Sequence, residues 1–163
     1  MAMVDRAPAT ADSYGIVQGN GGDTDYVAGG SGNDRLQGNA AFNQMYGGAG
    51  NDTFILSAKA AYGSDGRSPG AVQGETNVFT DQFAYLTDFH GAGGRVAGEN
   101  DFIAFSGFGA ASTLTLVDNS PSPTSGGRLL QYTLTDSNTG ATFNILVNSV
   151  NGQTLSAGDF AFY

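Results

Sequence analysis

A large apolar residue recurs at every ninth position between residues 20 and 55: Val27, Leu36, Met45 and Phe54. In the same phase a side-chain oxygen recurs at Asp25, Asp34, Asn43 and Asp52. Four nonapeptides therefore share one register: Asn20–Ala28, Gly29–Gln37, Gly38–Tyr46 and Gly47–Ile55. The second and fourth fit G-G-x-G-x-D-x-U-x at every fixed position, where U is large and apolar. Neither the helical period nor simple strand alternation spaces apolar residues this way. A very short strand followed by a tight turn does. The last three positions predict the strand, with its middle residue in the core. The first six predict the turn, with glycine where φ must be positive. A Gly/Asn/Asp-rich linker would not keep apolar residues in phase.

Two nonapeptides make one coil of about eighteen residues, with a turn at each side. Turns on one side then stack two repeats apart, so 29–34 lies over 47–52 and 20–25 over 38–43. Main-chain carbonyls and two carboxylates converge between stacked turns. Such an all-oxygen cage suits a hard cation with six to eight ligands, Ca²⁺, better than Mg²⁺ with its tight octahedron and retained waters. The better-formed site is expected from Gly29, Gly30, Ser31, Gly32, Asn33 and Asp34 with Gly47, Gly48, Ala49, Gly50, Asn51 and Asp52. A second site pairs Asp25 with Asn43, and Asp23 adds a carboxylate. It lacks one formal charge, and Ala40 and Ala41 replace turn glycines. Without the cation, Asp34 and Asp52 repel and the turns cost too much entropy to close. With it, the coils stack and bury Leu36 and Phe54.

Beyond Leu56 the nine-residue phase stops. Residues 57–78 read as a long excursion, with a single helical turn at Ser57–Tyr62. Strands return at 78–86, 101–105, 113–117, 129–135 and 142–150. The 91–98 and 119–127 segments read as loops, Asp136–Gly140 as a hairpin turn, and 155–163 as the closing strand. Ahead of the repeats, residues 1–15 form a polar lead-in, and Tyr14-Gly-Ile-Val17 a first strand that caps the open coil end. The expected architecture is all-β: a parallel β-roll capped by antiparallel strands. It divides into a lead-in and first strand (1–17), the roll (18–56) and a C-terminal cap (57–163).

At 163 residues one domain is the default. The net charge of −9 argues against nucleic-acid binding, because nothing neutralises phosphates. The chain has no cysteine, which excludes disulfides and thiolate-bound zinc, and its one histidine, His90, makes histidine metal clusters untenable. Residues 1–15 have no apolar core of a Sec-type signal, and no run is long enough to span a membrane.

The nonapeptide resembles the calcium-binding repeat of RTX proteins. Gly47–Ile55 looks like the last repeat before their C-terminal β cap. Tyr85-Leu-Thr-Asp-Phe89, Asn100-Asp-Phe-Ile-Ala-Phe-Ser-Gly-Phe108 and Leu155-Ser-Ala-Gly-Asp-Phe-Ala-Phe162 follow the order of that cap's motifs. Over about residues 18–163 the layout is similar to the R-modules of mannuronan C5-epimerases and the C-terminal domains of serralysin-type proteases. Three features depart from it: the weak repeat 38–46, Ala104 where the family has a second aspartate, and a long 57–79 connector. The resemblance implies export from a Gram-negative bacterium by a type I (ABC) apparatus, a C-terminal uncleaved signal, and folding on extracellular calcium.

Asp81, Asp88 and Asp101 read either as one more calcium site or as turn carboxylates in solvent. His90 beside Asp88 has no G-x-S-x-G or H-E-x-x-H around it, so a non-enzymatic chain is expected. Alginate binding would want a basic stripe, and the six cations Arg6, Arg35, Lys59, Arg67, Arg95 and Arg128 are scattered. Tyr26, Tyr46, Tyr62 and Tyr85 read as core or cap packing before they read as sugar-stacking surface. Two function classes stand: a secreted calcium-binding module, or a self-associating subunit of an extracellular fibre, layer or matrix.

Overall fold

The computed structural model describes residues 4–6, 16–18, 24–38, 42–62, 82–94, 98–121 and 127–163. These hold strands β1 (Val4–Arg6), β2 (Ile16–Gln18), β3 (Thr24–Ser31), β4 (Arg35–Gln37), β5 (Phe42–Ala49) and β6 (Thr53–Ser57), then helix α1 (Ala58–Tyr62). Strands β7 (Gln82–Phe89), β8 (Phe102–Ser106), β9 (Thr113–Pro121), β10 (Arg128–Thr135), β11 (Thr142–Ser149) and β12 (Phe160–Phe162) follow.

The nine-residue phase becomes two facing sheets. Odd and even repeats alternate between them, because each turn carries the chain across the core. One sheet runs β1-β3-β5-β7-β11-β10-β9 and the other β12-β8-β6-β4-β2. Val27 pairs with Met45 and Met45 with Leu86 in the first. Leu36 pairs with Phe54, Phe54 with Ile103, and Ile103 with Phe160 in the second. All four repeat positions are buried, with Leu36, Met45 and Phe54 at 0% exposure. Each such side chain contributes about 1.5–3 kcal/mol on burial. An array this short falls below the ~40 residues that usually fold unaided, so it needs a cap, a cation or both.

Several elements differ from the expectation. The lead-in supplies a strand of its own, β1, which pairs in parallel with β3. Strands β3 and β5 each have eight residues and run into the turn, pairing Gly30 with Gly48 and Ser31 with Ala49. The stacked turns continue the ladder there, because glycine lets the backbones approach. Strand β9 extends to Pro121, into the segment expected to be a loop. Among the described residues, antiparallel pairing is confined to β9, β10 and β11. Strand β11 joins β7 in parallel, and β8 and β12 extend the second sheet in parallel, so the roll's pattern carries on into the cap.

Aromatic packing closes the cap. Phe162 stacks on Phe105 at 4.8 Å between centroids, while Phe108 and Phe160 meet Phe105 edge-on at 6.1 Å. The hairpin turn after β10 is anchored by Asp136, which is 1% exposed. Its carboxylate accepts from the Gly109 and Asn138 amides, both at 3.0 Å, and from the Tyr62 hydroxyl at 2.5 Å. Burial alone would raise its pKa; these donors hold it down to about 2. Helix α1, with Ser57 Oγ accepting from the Ala60 amide, is thereby tied to the far hairpin.

Candidate functional site

The turns 29–34 and 47–52 stack as a ladder. The Gly32 amide donates to the Ala49 carbonyl, and the Thr53 amide to the Asp34 carbonyl, both at 2.8 Å. Side chains add two rungs of their own. The Asp34 amide donates to Asp52 Oδ1, and the Asn51 amide to Asn33 Oδ1, each at 2.8 Å.

Glycine at the first turn position makes room for the aspartate at the sixth. A Cβ added to Gly29 would sit 2.7 Å from Asp34 Oδ2 and 2.6 Å from the Gly47 carbonyl oxygen. At Gly47 a Cβ would collide with Asp52 Oδ2. The carboxylates thus fold back beneath their own turns, beside carbonyls of the stacked neighbour. Asp34 Oδ2 and Asp52 Oδ2 are buried, and neither has a hydrogen-bond donor. A buried anionic oxygen without a partner is costly, and a cation is the partner that satisfies it. No three acidic or histidine side chains gather into a metal cluster among the described residues. The available donor set is instead two carboxylates with main-chain carbonyls, which fits a calcium ion.

A third rung closes the ladder. Register carries Met45 to Leu86, which places Asp88 over Gly47. Asp88 Oδ1 and Oδ2 accept from the Gly47 and Gly48 amides at 2.8 Å. Asp101 Oδ1 accepts from the Asp52 amide at 2.9 Å and Oδ2 from the His90 amide at 2.7 Å. The Asn100 amide donates to Asn51 Oδ1 at 2.7 Å, and the Phe102 amide to the Asp52 carbonyl at 2.8 Å. Asn100-Asp101-Phe102-Ile103 therefore repeats the ladder contacts of Asn51-Asp52-Thr53-Phe54. Both oxygens of Asp88 and of Asp101 are engaged by amides, unlike those of Asp34 and Asp52. Glu99, which sequence reasoning passed over, accepts from the Gly50 amide at 3.0 Å.

On the other side, Asp25 pairs in register with Asn43. Asn43 is buried beneath Gly38 as Asp52 is beneath Gly47, and its Nδ2 donates to the Phe83 carbonyl at 3.3 Å. Only the backbone of Asp25 is described. Asp23 and Asp81 lie outside the described residues.

Asp34, Asp52, Asp88 and Asp101 follow one another along the ladder, and the charges of the other three act on Asp52. Burial pushes Asp52 up to about 7, and the Asp101, Asp34 and Asp88 charges add to that against the Asp34 amide's opposing pull. Burial likewise raises Asp101 to about 6, opposed by the His90 and Asp52 amides. Asp34 and Asp88 are also raised by burial. Unfolded aspartates titrate near 3.8. Between these values the folded chain holds protons that the unfolded chain releases, so the contribution is complete below 3.8 and is lost as pH rises through about 6 to about 7. Calcium-free protein is expected to gain β-structure as pH falls from about 8 to about 5. The trend should reverse in calcium, whose binding needs ionised carboxylates. Circular dichroism at both pH values, with and without calcium, checks the sign.

Residues 19–54 match the family model of the RTX calcium-binding nonapeptide repeat, in four copies. Over those residues the chain carries the RTX calcium-binding nonapeptide repeat. The match covers the stacked turns and their strands, and no match was found among curated proteins. RTX repeats bind Ca²⁺ and are typical of secreted proteins. Among the described residues, no helix is long and apolar enough to cross a membrane.

Proposed function

We propose that this RTX chain is the calcium-driven folding module of a protein exported by a type I apparatus, acting outside the cell and catalysing no reaction. The observation that carries the reading is the pair of buried, donor-less oxygens, Asp34 Oδ2 and Asp52 Oδ2, between stacked glycine turns. Calcium, when bound, supplies the positive charge that lets both carboxylates stay ionised inside the fold. The chain's own residues do the rest. Asp34 and Asp52 tie successive coils through their backbone and side-chain contacts, and Leu36 and Phe54 are buried as those coils close. Asp88 and Asp101 act as the end cap of this ladder. Asp101 takes the Asp52 amide as the aspartate of a further repeat would, and Asp88 takes the Gly47 and Gly48 amides. In this reading residues 18–56 are the ion-dependent roll, and 57–163 form the cap that carries the export signal. The second, Asp25–Asn43 turn pair is a weaker site, because Asn43 supplies its own donor where a carboxylate would need a cation.

Export by the type I route rests on the C-terminal resemblance, whose last motif the fold uses structurally. Asp159 accepts from the Gly93 amide at 2.9 Å and the Ser156 amide at 2.6 Å, locking the 91–94 loop to the chain end. The non-enzymatic reading rests on the sequence, which has no G-x-S-x-G or H-E-x-x-H around His90. Its ring is flanked by Asp101 and Glu99 carboxylates at 3.6 and 3.7 Å, with no hydroxyl hydrogen-bonded to it among the described residues. Pairing between chains at β9 is discouraged, since that edge carries exposed Asp118 and a bulge opposite Gln131 and Tyr132.

Far-UV circular dichroism during a calcium titration tests the reading, with magnesium as the control. A rise in β-structure at about 0.1–1 mM Ca²⁺, the range of extracellular modules, is expected, with no response to magnesium. A spectrum already folded in chelator at pH 8 and unmoved by calcium would overturn it.

A further inference from the structure

The outer face of the seven-stranded sheet carries a line of side chains that the core does not use. Register joins Tyr26 to Gln44, Gln44 to Tyr85, Tyr85 to Leu146, and Leu146 to Gln131. Their strand neighbours Val27, Met45, Leu86, Ile145, Val147 and Leu130 all belong to the core. Strand alternation therefore turns the line outward. Tyr46, two residues along β5 from Gln44, points the same way and is 52% exposed. Tyr26 is exposed, Gln44, Tyr85 and Gln131 are partly exposed, and Leu146 is buried between Tyr85 and Gln131 as an apolar floor. Tyr62, by contrast, packs edge-on against Phe143 at 5.2 Å between centroids.

The line is uncharged from β3 to β10, in a chain of net charge −9. Asp118 marks its end on β9. Neighbouring strands lie about 4.8 Å apart, so Tyr26 and Tyr85 stand about 9–10 Å apart, with the Gln44 amide between them. That separation is close to two pyranose residues of an extended glycan. Tyrosine offers a large, rigid contact at small entropic cost, and its ring suits the C–H face of a sugar. A glutamine amide both donates and accepts, as sugar hydroxyls require.

We propose that this line binds an extended, neutral, β-linked polysaccharide running across the strands, along the axis of the roll. Tyr26 and Tyr85 stack on alternate pyranose rings, Gln44 and Gln131 exchange hydrogen bonds with hydroxyls, and Tyr46 flanks the track. A polyanionic glycan finds no cation on this line. A second copy of the chain would bring a like net charge against the face, which opposes close pairing.

Native gel electrophoresis of the full calcium-loaded chain tests this, with hydroxyethyl cellulose, galactomannan or alginate cast into the gel. Retardation by at least one neutral polymer is expected, with none by alginate. Tyr26→Ala and Tyr85→Ala should each weaken binding about tenfold, consistent with the loss of one ring stack. Tyr26→Phe and Tyr85→Phe should bind nearly as the parent does. Circular dichroism in calcium reports whether each variant is folded, and exposed Tyr26 keeps the test decisive if Tyr85→Ala fails to fold. Four results would each overturn the proposal: no retardation by either neutral polymer; unchanged retardation of folded Tyr26→Ala; stronger retardation by alginate; or a dimer in light scattering that Tyr46→Ala dissolves.

Discussion

Asp52→Asn is expected to uncouple folding from calcium: the calcium midpoint rises by at least about tenfold, while the calcium-free chain at pH 8 becomes more folded than the parent. Both effects have one origin. Asp52 lies at the centre of the ladder, with Asp34 on one side and Asp101 and Asp88 on the other. Its Oδ1 accepts the Asp34 amide, while its Oδ2 is buried with no donor. Asparagine keeps the shape and the Oδ1 acceptor, so the rung to Asp34 survives. It removes the charge that the neighbouring carboxylates oppose and that burial disfavours. The ionised cluster then costs less without a cation. The same change removes one of the two carboxylates that a calcium ion would bridge, and affinity at such sites follows ligand charge. The chain already contains this solution at Asn43, which sits beneath Gly38 and donates to the Phe83 carbonyl. A calcium titration by circular dichroism, beside a melt in chelator at pH 8, reads both effects. An unchanged calcium midpoint would remove Asp52 from the proposed site.

The roll was legible because its signal is periodic. Val27, Leu36, Met45 and Phe54 keep a strict phase, and a two-repeat coil then places Asp34 under Asp52 by arithmetic alone. The third rung obeys the same physics without the phase. Asn100-Asp101-x-Ile103 repeats Asn33-Asp34-x-Leu36 and Asn51-Asp52-x-Phe54, but the excursion after α1 and the loop before Glu99 break the spacing. Asp88 was illegible as a rung for a further reason: it stands where the repeats have glycine. The asparagine ladder was hidden because the nonapeptide leaves that position free, although Asn33 and Asn51 are both asparagine. Asp136 read only as the start of a hairpin turn, since the fold alone brings Tyr62 and Gly109 to its carboxylate. Alternation could not say which face of a two-sided sheet would be covered. Tyr26 and Tyr46 were therefore read first as packing, and they prove exposed.

Gly48→Ala is expected to prevent the calcium-induced transition at concentrations that saturate the parent, or to lower stability by at least ~3 kcal/mol if the chain still folds. Two independent penalties meet at this residue. Its φ of +99° lies where side-chain-bearing residues are strained. A Cβ there would also drive into the Gly30 carbonyl of the turn beneath it, and backbone atoms cannot swing aside as a flexible side chain can. Relief means separating the two turns. That pulls Asp52 Oδ1 from the Asp34 amide and drives the Gly47 and Gly48 amides against Asp88 on the far side, so the rungs on both sides are disturbed together. Gly140→Ala isolates the conformational part. Gly140 has φ +76° in the hairpin turn, and an added Cβ would meet nothing within 4 Å. Its cost should be only the left-handed penalty of roughly 1–2 kcal/mol, a fall of several degrees in melting temperature. Thermal melts of both variants in saturating calcium make the comparison. If Gly48→Ala melts no lower than Gly140→Ala, the turns do not stack closely enough to share a cation, and the calcium-driven reading loses its structural basis.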